Sequence, residues 1–242
     1  MRNIIVTGSA GFIGKELVRV LKQDTNNNVF AIDRKNGIEI DDIEFIFENN
    51  KIDVVYHLAA QTSVFNQNIE QVIKDNILGF AKIVELCNKY GAKLVYTSSS
   101  TANPSNITSI YGLSKKFDED YAKIYCPTAT GVRLHNVYSE TEPREGTLMW
   151  HILIQDTVVL YNNGNNKRHF THISDAVNGL IYAASSNERL LNCYNPECIT
   201  TKEFVHRYDS NKQIELLNQT RPLDKEEQLI DETIENIYKK QH

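Results

Sequence analysis

The 242-residue chain is long enough for one large domain, and its 41% hydrophobic and 24% charged residues are typical of a globular protein. A net charge of −5 without a basic stripe argues against a nucleic-acid partner. Four cysteines without a CxxC pair suit a reducing cytosol, and no apolar run is long enough to span a bilayer. The first residues lead straight into a predicted strand, so we expect a cytoplasmic protein with no signal peptide and no membrane contact.

The first predicted elements enclose a glycine turn. Ile4-Ile5-Val6 is typical of a buried parallel strand, and residues 13–21 have the apolar spacing of a helix. Between them lies Gly8-x-x-Gly11-x-x-Gly14, one residue wider at the front than the usual fingerprint. Glycines let the backbone turn sharply and approach a pyrophosphate, which then sits at the positive end of the helix. The order strand, turn, helix therefore predicts a dinucleotide site.

The second predicted strand, residues 29–33, ends in Asp33, about twenty residues beyond the glycine turn. A carboxylate at that place can accept hydrogen bonds from both hydroxyls of the adenosine ribose, and it disfavours a 2′-phosphate. This favours NAD as the cofactor. The neighbouring Arg34 could partly accommodate NADP, which stays open as the alternative.

Strands and helices continue to alternate along the chain. Residues 53–60 indicate a buried strand ending in Leu58-Ala59-Ala60, whose small residues allow a cofactor to lie close to the backbone. A helix is predicted from about Gln67 to Tyr90, followed by a strand at 93–97. This alternation predicts an α/β fold with a Rossmann-type, doubly wound parallel sheet.

A proton-transfer site is predicted where the next helix begins. Tyr111 and Lys115 are four residues apart, so their side chains share one helical face. An ammonium beside a phenol favours the phenolate and lowers the pKa of the tyrosine. The strand before it ends in residues 98–101, a run of serines and a threonine that can hydrogen-bond the same substrate oxygen. Such a group suits oxidation of an alcohol, or reduction of a carbonyl, beside a nicotinamide.

With these motifs the chain resembles the extended short-chain dehydrogenase/reductase family, in its NAD-dependent nucleotide-sugar epimerase/dehydratase branch. The matching segments, in family order over most of the chain, are 7–14, His57-Leu58-Ala59-Ala60, Asn76-x-x-Gly79, 98–100, Tyr111-Gly112-Leu113-Ser114-Lys115, 133–138, 168–175 and Arg221-Pro222.

The resemblance implies site residues. It implies a catalytic triad of Ser100, Tyr111 and Lys115, with Ser100 also touching substrate. It places Asn136, Arg168 and Arg221 on the diphosphate of a nucleotide-sugar substrate, where guanidinium groups suit phosphate oxygens. The residues predicted to bind NAD are Gly8, Gly11, Phe12, Ile13, Gly14, Asp33, Arg34, Leu58, Ala59, Ala60, Asn76, Ser98, Tyr111, Lys115 and His135.

The domain prediction follows the same resemblance. Residues 1–135 form the NAD-binding Rossmann domain, whose sheet is completed by later segments near 170–195. Residues 136–242 form mainly a small, discontinuous and abbreviated substrate-binding region. Its last element is predicted to be an amphipathic helix with Ile230, Ile234, Ile237 and Tyr238 on one face.

Two departures from the family pattern and one histidine pair bear on the site. Only ten residues separate Ser100 from Tyr111, where the family carries a long loop over the sugar, so we expect a more open or differently walled pocket. His135 replaces a customary aromatic residue beside the nicotinamide, and a stacked substitute is favoured over an added acid. The pair His169-x-x-His172 lacks a nearby third ligand, so no metal site is predicted.

The two residues after the serine narrow the activity. Dehydratases of this branch carry an Asp-Glu pair there, and enzymes that invert C3 or C5 use a cysteine, whereas this chain has Thr101-Ala102. The first hypothesis is therefore an NAD-dependent nucleotide-sugar 4-epimerase, which oxidises one carbinol carbon transiently. The alternative is a nucleotide-sugar 4-ketoreductase, for which the short loop is more typical. The second alternative is a non-catalytic NAD-binding protein, suggested by the shortened loop and C-terminal region.

A homodimer is also expected. The helices from about Gln67 and from Tyr111 carry apolar and aromatic residues at helical spacing, and family relatives pair two such helices across a two-fold axis. The residues concerned are Ile73, Ile77, Phe80, Ile83, Phe117, Tyr121 and Tyr125.

Overall fold

The computed structural model describes residues 1–65 and 68–241. The strands are β1 (Arg2–Thr7), β2 (Asn27–Ile32), β3 (Val54–His57), β4 (Lys93–Ser99), β5 (Thr130–Leu134), β6 (Val137–Tyr138), β7 (Thr157–Leu160), β8 (Lys167–His169), β9 (Thr171–His172), β10 (Leu190–Cys193), β11 (Cys198–Thr200) and β12 (Gln213–Leu216). The α-helices are α1 (Phe12–Leu21), α2 (Glu44–Asn49), α3 (Ile69–Val72), α4 (Gly79–Tyr90), α5 (Ile110–Tyr125), α6 (Leu148–Ile154), α7 (Ile173–Ala183) and α8 (Thr201–Tyr208). A π-helical segment, Ile73–Leu78, joins α3 to α4.

Within the described residues, the main sheet is six-stranded and parallel, in the order β10-β5-β4-β3-β1-β2. The chain reaches one edge at β2 and then crosses over β1 to β3, so the winding direction reverses between β1 and β3. Ligands of such sheets bind in the crevice at the carboxyl ends of the strands where this reversal occurs. The Rossmann-type prediction is confirmed, and the last strand of the sheet comes from the later segment near residue 190.

Each face of the sheet carries its own hydrophobic core. Along β1 successive side chains point to opposite faces, so Ile5 joins one core while Ile4 and Val6 join the other. The first core is closed by α2, α4 and α5, and the second by α1 and α7. Burial on both faces explains why these strands are continuous apolar runs with no polar alternation.

The smaller C-terminal part has its own apolar cluster, formed by Met149, Ile152, Val158, Leu160, Phe204 and Val205. These residues belong to α6, β7 and α8, and β7 pairs with β12 in parallel. Two further short two-stranded ladders pair β8 with β11 and β6 with β9. No helix in the described ranges is long and apolar enough to cross a membrane.

The predicted C-terminal helix is wrong. Only a 3₁₀ turn, Ile237–Lys240, is helical there, because the preceding backbone bonds to the edge strand β10. The Asn192 backbone N–H donates to the Glu235 carbonyl at 2.7 Å, and the Asn192 side chain donates to the carbonyls of Asp231 and Ile234. These sheet-edge bonds fix a non-helical backbone that turns at residues 232–233, although its isoleucines have helical spacing. At the other predicted boundary, Gln67 lies outside the described residues, and the helix is seen from Ile69.

Candidate active site

Two glycines of the turn after β1, Gly8 and Gly14, are packed too closely for a side chain. Gly8 has a φ of +70°, and a Cβ at this position would lie 2.6 Å from the Ala59 backbone nitrogen. A Cβ at Gly14 would lie 2.1 Å from the Gly8 carbonyl oxygen. Only glycine adopts this turn and this contact without strain. The turn therefore brings the start of α1 against the loop after β3, and the residues of both line one large cleft.

Asp33 follows β2 and is held by two backbone groups. One carboxylate oxygen accepts from the Ala10 N–H at 3.0 Å, and the other accepts from the Lys35 N–H at 2.9 Å. Each oxygen keeps a lone pair for a ligand hydroxyl in the cleft, which Asp33 lines. Arg34 is engaged elsewhere, since its guanidinium group forms two hydrogen bonds with the Asp75 carboxylate, at 2.9 and 3.1 Å.

Leu58, Ala59 and Ala60 line the cleft beside the glycine turn. The next residue, Gln61, is fixed by Asn76 of the π-helical segment. The Asn76 amide accepts from the Gln61 N–H at 2.7 Å and donates to the Gln61 carbonyl at 3.0 Å. It also donates to the Ser114 hydroxyl at 2.9 Å. Asn76 is itself buried, so in this structure it shapes the wall of the cleft by tying this loop to α5.

Ser100, Tyr111 and Lys115 line the same cleft. Ser100 begins the turn that follows β4, and Tyr111 lies in the first turn of α5, whose N-terminus is capped by the Ser109 hydroxyl. A Cβ on Gly112 would lie 2.8 Å from the Thr101 carbonyl oxygen, so the helix presses directly on the turn that carries Ser100. This close packing brings the three predicted catalytic residues together.

The short loop before Tyr111 is covered by residues 223–231, which we call the C-terminal strap. The Asn106 side chain donates to the Leu229 carbonyl at 2.8 Å and accepts from the Leu229 N–H at 3.0 Å. The Gln228 amide oxygen accepts from the Ser100 hydroxyl at 3.3 Å and from the Asn136 amide at 3.1 Å. The strap thus supplies a wall beside Ser100, where the sequence predicted a more open or differently walled pocket.

The two arginines predicted to bind substrate differ in availability. The Arg168 guanidinium group is surrounded by the strap: it pairs with the Asp224 carboxylate at 2.5 Å and donates to three backbone carbonyls. Arg221 is exposed, and its guanidinium carbon lies 3.9 Å from the centre of the Phe65 ring. Both line the cleft of about 1270 Å³ that also holds the glycine turn and Tyr111.

His135 and Ser98 turn toward buried partners. The His135 side chain is 2% exposed, and its ring centre lies 5.0 Å from that of Tyr194 and 6.3 Å from that of His169. Its predicted contact with the nicotinamide stays a prediction. The Ser98 hydroxyl donates to Glu119 at 2.6 Å. In the described part of the chain, no group of three or more His, Cys, Asp or Glu side chains is arranged to hold a metal ion.

Comparison with known proteins places this geometry in a family. Residues 4–195 match the model of the NAD dependent epimerase/dehydratase family. The chain belongs to this family. It is part of the extended short-chain dehydrogenase/reductases, as its motifs predicted.

Individual members of the NAD-dependent epimerase/dehydratase family resemble the chain over most of its length. A putative UDP-glucose 4-epimerase of Methanocaldococcus jannaschii is 29% identical, over 78% of this chain and 75% of that protein. UDP-glucuronic acid decarboxylase 1 of Danio rerio is 26% identical, over 84% of this chain and 59% of that protein. The structure of a Bacillus cereus UDP-glucuronic acid 4-epimerase in complex with UDP-glucuronic acid and NAD superimposes with a TM-score of 0.79 at 21% identity, covering 95% of this chain and 90% of that one.

The residues present fit the dinucleotide that the family binds. Gly8, Gly11 and Gly14 line the cleft at the N-terminus of α1, where backbone N–H groups suit a pyrophosphate. Asp33 stands at the end of β2 with its carboxylate on the cleft. The sequence did not indicate the strap residues Gln228 and Leu229, because the side chains that they meet are more than 90 residues away along the chain.

Proposed function

We propose that this chain is an NAD-dependent nucleotide-sugar 4-epimerase. The observation that carries the proposal is a single cleft lined by the glycine turn, Asp33, the group Ser100, Tyr111 and Lys115, and Arg221. A cofactor region, a proton-transfer group and an exposed cation in one cavity are what reversible oxidation of a phosphorylated sugar requires. NAD, when bound, would take up and return the hydride.

The side chains of this chain supply the proton transfer. Tyr111 accepts the proton of the substrate hydroxyl as that carbon is oxidised, and returns it after the keto-sugar has presented its other face. The Lys115 ammonium favours the phenolate form of Tyr111 electrostatically. The Ser100 hydroxyl donates a hydrogen bond to the same substrate oxygen; in the structure it donates to Gln228, which would give way to the substrate.

The residues after Ser100 argue for chemistry confined to one carbon. Thr101 and Ala102 carry no carboxylate or thiol that could remove a second proton from the sugar, and Ala102 is fully buried. Elimination of water and inversion at carbons next to a carbonyl both need such a group. Oxidation and reduction at C4 need only the hydroxyl, the phenol and the hydride acceptor.

Arg221 is the cation that we assign to the diphosphate. Its guanidinium group lies over the Phe65 ring on an exposed part of the cleft, where phosphate oxygens can reach it. Arg168 instead directs three of its four hydrogen bonds to the strap and the fourth to the Lys167 carbonyl. We therefore propose that Arg168 holds the pocket wall and that Arg221 contacts the substrate.

The function is tested by incubating the purified protein and NAD with UDP-, dTDP- and GDP-sugars and following C4 configuration by NMR. Appearance of the 4-epimer, with no net NADH, supports the proposal. Stoichiometric use of NADH with a 4-keto-sugar would establish the ketoreductase instead. UDP-glucuronic acid is included because a keto group at C4 makes its acid a β-keto acid, so loss of CO₂ would show a decarboxylase. Cofactor binding without turnover of any sugar would favour a non-catalytic role.

Cofactor choice gives a first prediction. We expect NAD(H) to bind at least about tenfold more tightly than NADP(H), because the Asp33 carboxylate would repel a 2′-phosphate and Arg34 is held by Asp75. Fluorescence titration with both reduced cofactors measures the two dissociation constants. The variant Asp33→Ser should narrow the difference. Tighter binding of NADPH to the wild type would contradict the prediction and favour the reductase.

Assembly gives a second prediction, a homodimer. Phe80 and Ile83 of the predicted interface lie in the core, but a neighbouring apolar surface is exposed on the same helices. Its members are Ile69, Ile73, Leu78, Leu113, Ile124 and Tyr125. Light scattering at micromolar concentration should give the mass of a dimer. Ile124→Glu should give a monomer, while Leu216→Glu, an exposed site on β12, should not. A monomeric wild type would contradict this prediction.

A further inference from the structure

A buried carboxylate meets the predicted catalytic lysine from within its own helix. The Lys115 ammonium lies 3.1 Å from an Asp118 carboxylate oxygen, and the two side chains are 2% and 0% exposed. The second oxygen of Asp118 has no hydrogen-bond partner among the described residues. The two residues are three positions apart on α5, so both lie on the face that packs against the sheet. Neither the cofactor site nor the proton transfer described above uses Asp118.

The other titratable groups around this pair are accounted for. His57 of β3 is held by the Thr7 hydroxyl at 2.8 Å, and burial lowers its pKa to about 3, so it stays neutral. Glu119, next on α5, forms two hydrogen bonds of 2.7 Å with Arg133. Tyr96 of β4 is uncharged, since burial raises its pKa. Asp118 is therefore the anion that is paired with the Lys115 ammonium.

Resting on the proposed function, we propose that Asp118 is a positioning residue for catalysis: it fixes the Lys115 ammonium and partly cancels its charge. Through Lys115, it sets how readily Tyr111 gives up its proton. A lysine stem is flexible and a lone buried cation is costly, so a fixed anion is needed to hold the ammonium inside the protein. One of the three N–H donors of Lys115 is directed at Asp118, and the others remain for Tyr111 and the ribose of a bound cofactor.

The sign of the effect follows from charge alone. Burial raises the pKa of the Asp118 carboxyl to about 7, against the opposing pull of Lys115, so the carboxylate is half ionised near pH 7 and fully charged in the alkaline range. Removing that charge makes the surroundings of Tyr111 and Lys115 more positive. These two side chains, titrating as a coupled pair, then lose their first proton at a lower pH. Asp118 is seven residues from Tyr111, about 10 Å along a helix, so the expected shift is about one pH unit.

The test is Asp118→Asn, which keeps the shape of the side chain and removes its charge. We expect the acid limb of the turnover profile to move about one unit toward lower pH. The matched control is Asp120→Asn, on the same helix in the exposed ion pair with Lys116, and its profile should coincide with that of the wild type. A profile of Asp118→Asn that is unchanged, or moved to higher pH, would overturn the proposal. Asp118→Ser serves as the second uncharged variant if the first does not fold.

A second readout needs no substrate and separates this proposal from the proposed function. Tyrosinate absorbance is titrated in the NAD complex, and the titration of the corresponding Tyr111→Phe protein is subtracted to isolate Tyr111. The isolated midpoint should fall by about one unit in Asp118→Asn and stay constant in Asp120→Asn. A shift without turnover of any sugar would support Asp118 and count against the 4-epimerase. Turnover with an unshifted midpoint would do the reverse.

Discussion

Replacing Tyr111 by phenylalanine should lower turnover of the accepted nucleotide sugar by about two to four powers of ten. The change removes only the ionisable oxygen, so the aromatic ring, the first turn of α5 and the cofactor region should remain as they are. The loss measures what a positioned proton-transfer group contributes to the reaction. NMR of sugar configuration under saturating substrate gives the rate, and fluorescence titration checks that NAD still binds.

Other substitutions place the Tyr111 result in context. Tyr125→Phe, an exposed position at the end of the same helix, is the matched control and should turn over like the wild type. Ser100→Ala should cost less than Tyr111→Phe, because it removes an orienting hydrogen bond and leaves the proton acceptor in place. Lys115→Met should also weaken NAD binding. If Tyr111→Phe retained near-wild-type turnover, the catalytic group would be a structural remnant and the non-catalytic role would be favoured.

The main sheet was predictable because its signals are local. Apolar runs such as Ile4-Ile5-Val6 are buried on both faces of a parallel sheet, and the glycines of the first turn have no room for a Cβ. The helical face shared by Tyr111 and Lys115 follows from spacing alone. Each of these features is encoded within a few residues, which is the range over which a single sequence gives reliable patterns.

The pocket wall was not predictable because it depends on distant pairing. Ser100 and Gln228 are 128 positions apart, and no pattern in one sequence indicates that the strap lies on the short loop. The spacing of Ile230, Ile234 and Ile237 favoured a helix. At the sheet edge, however, the Asn192 side chain donates hydrogen bonds to backbone carbonyls of this segment, which a helix would need for its own bonds. The partners of Arg168 within the chain, Asp224 and backbone carbonyls, are not indicated by its residue type either.

His135 gives the last prediction. Its ring packs against Tyr194, with the ring centres 5.0 Å apart. It is 2% exposed, and in the described part of the chain neither ring nitrogen makes a hydrogen bond of good geometry, although the Asn192 side chain lies near enough to act on the ring. A buried polar atom without a partner costs about 1–3 kcal/mol. Burial, helped by the nearby His169, also lowers the pKa of His135 to about 3.

This depressed pKa fixes how the stability of the protein changes with pH. In the pH range between the unfolded pKa of 6.5 and the folded pKa of about 3, His135 is protonated in the unfolded chain and neutral in the folded protein. Stability therefore falls as pH falls through this window, by about 1.4 kcal/mol per pH unit for this residue. His57 contributes to the pH dependence of stability in the same direction, because burial lowers its pKa to about 3 as well. Above pH 6.5 both histidines are neutral in either state and this loss disappears.

His135→Phe should therefore raise the free energy of unfolding by about 1 kcal/mol at pH 7, and by about 2 kcal/mol more at pH 5. The phenyl ring keeps the contact with Tyr194 while removing two unpaired nitrogens and the titrating group. Denaturant titrations at both pH values measure the difference in the free energy of unfolding between His135→Phe and the wild type. His206→Phe, on the exposed side of α8, is the control. Some acid sensitivity should persist in the variant because His57 remains. If this stability difference were the same at pH 7 and pH 5, His135 would not take up a proton on unfolding. That result would contradict the depressed pKa on which this prediction depends.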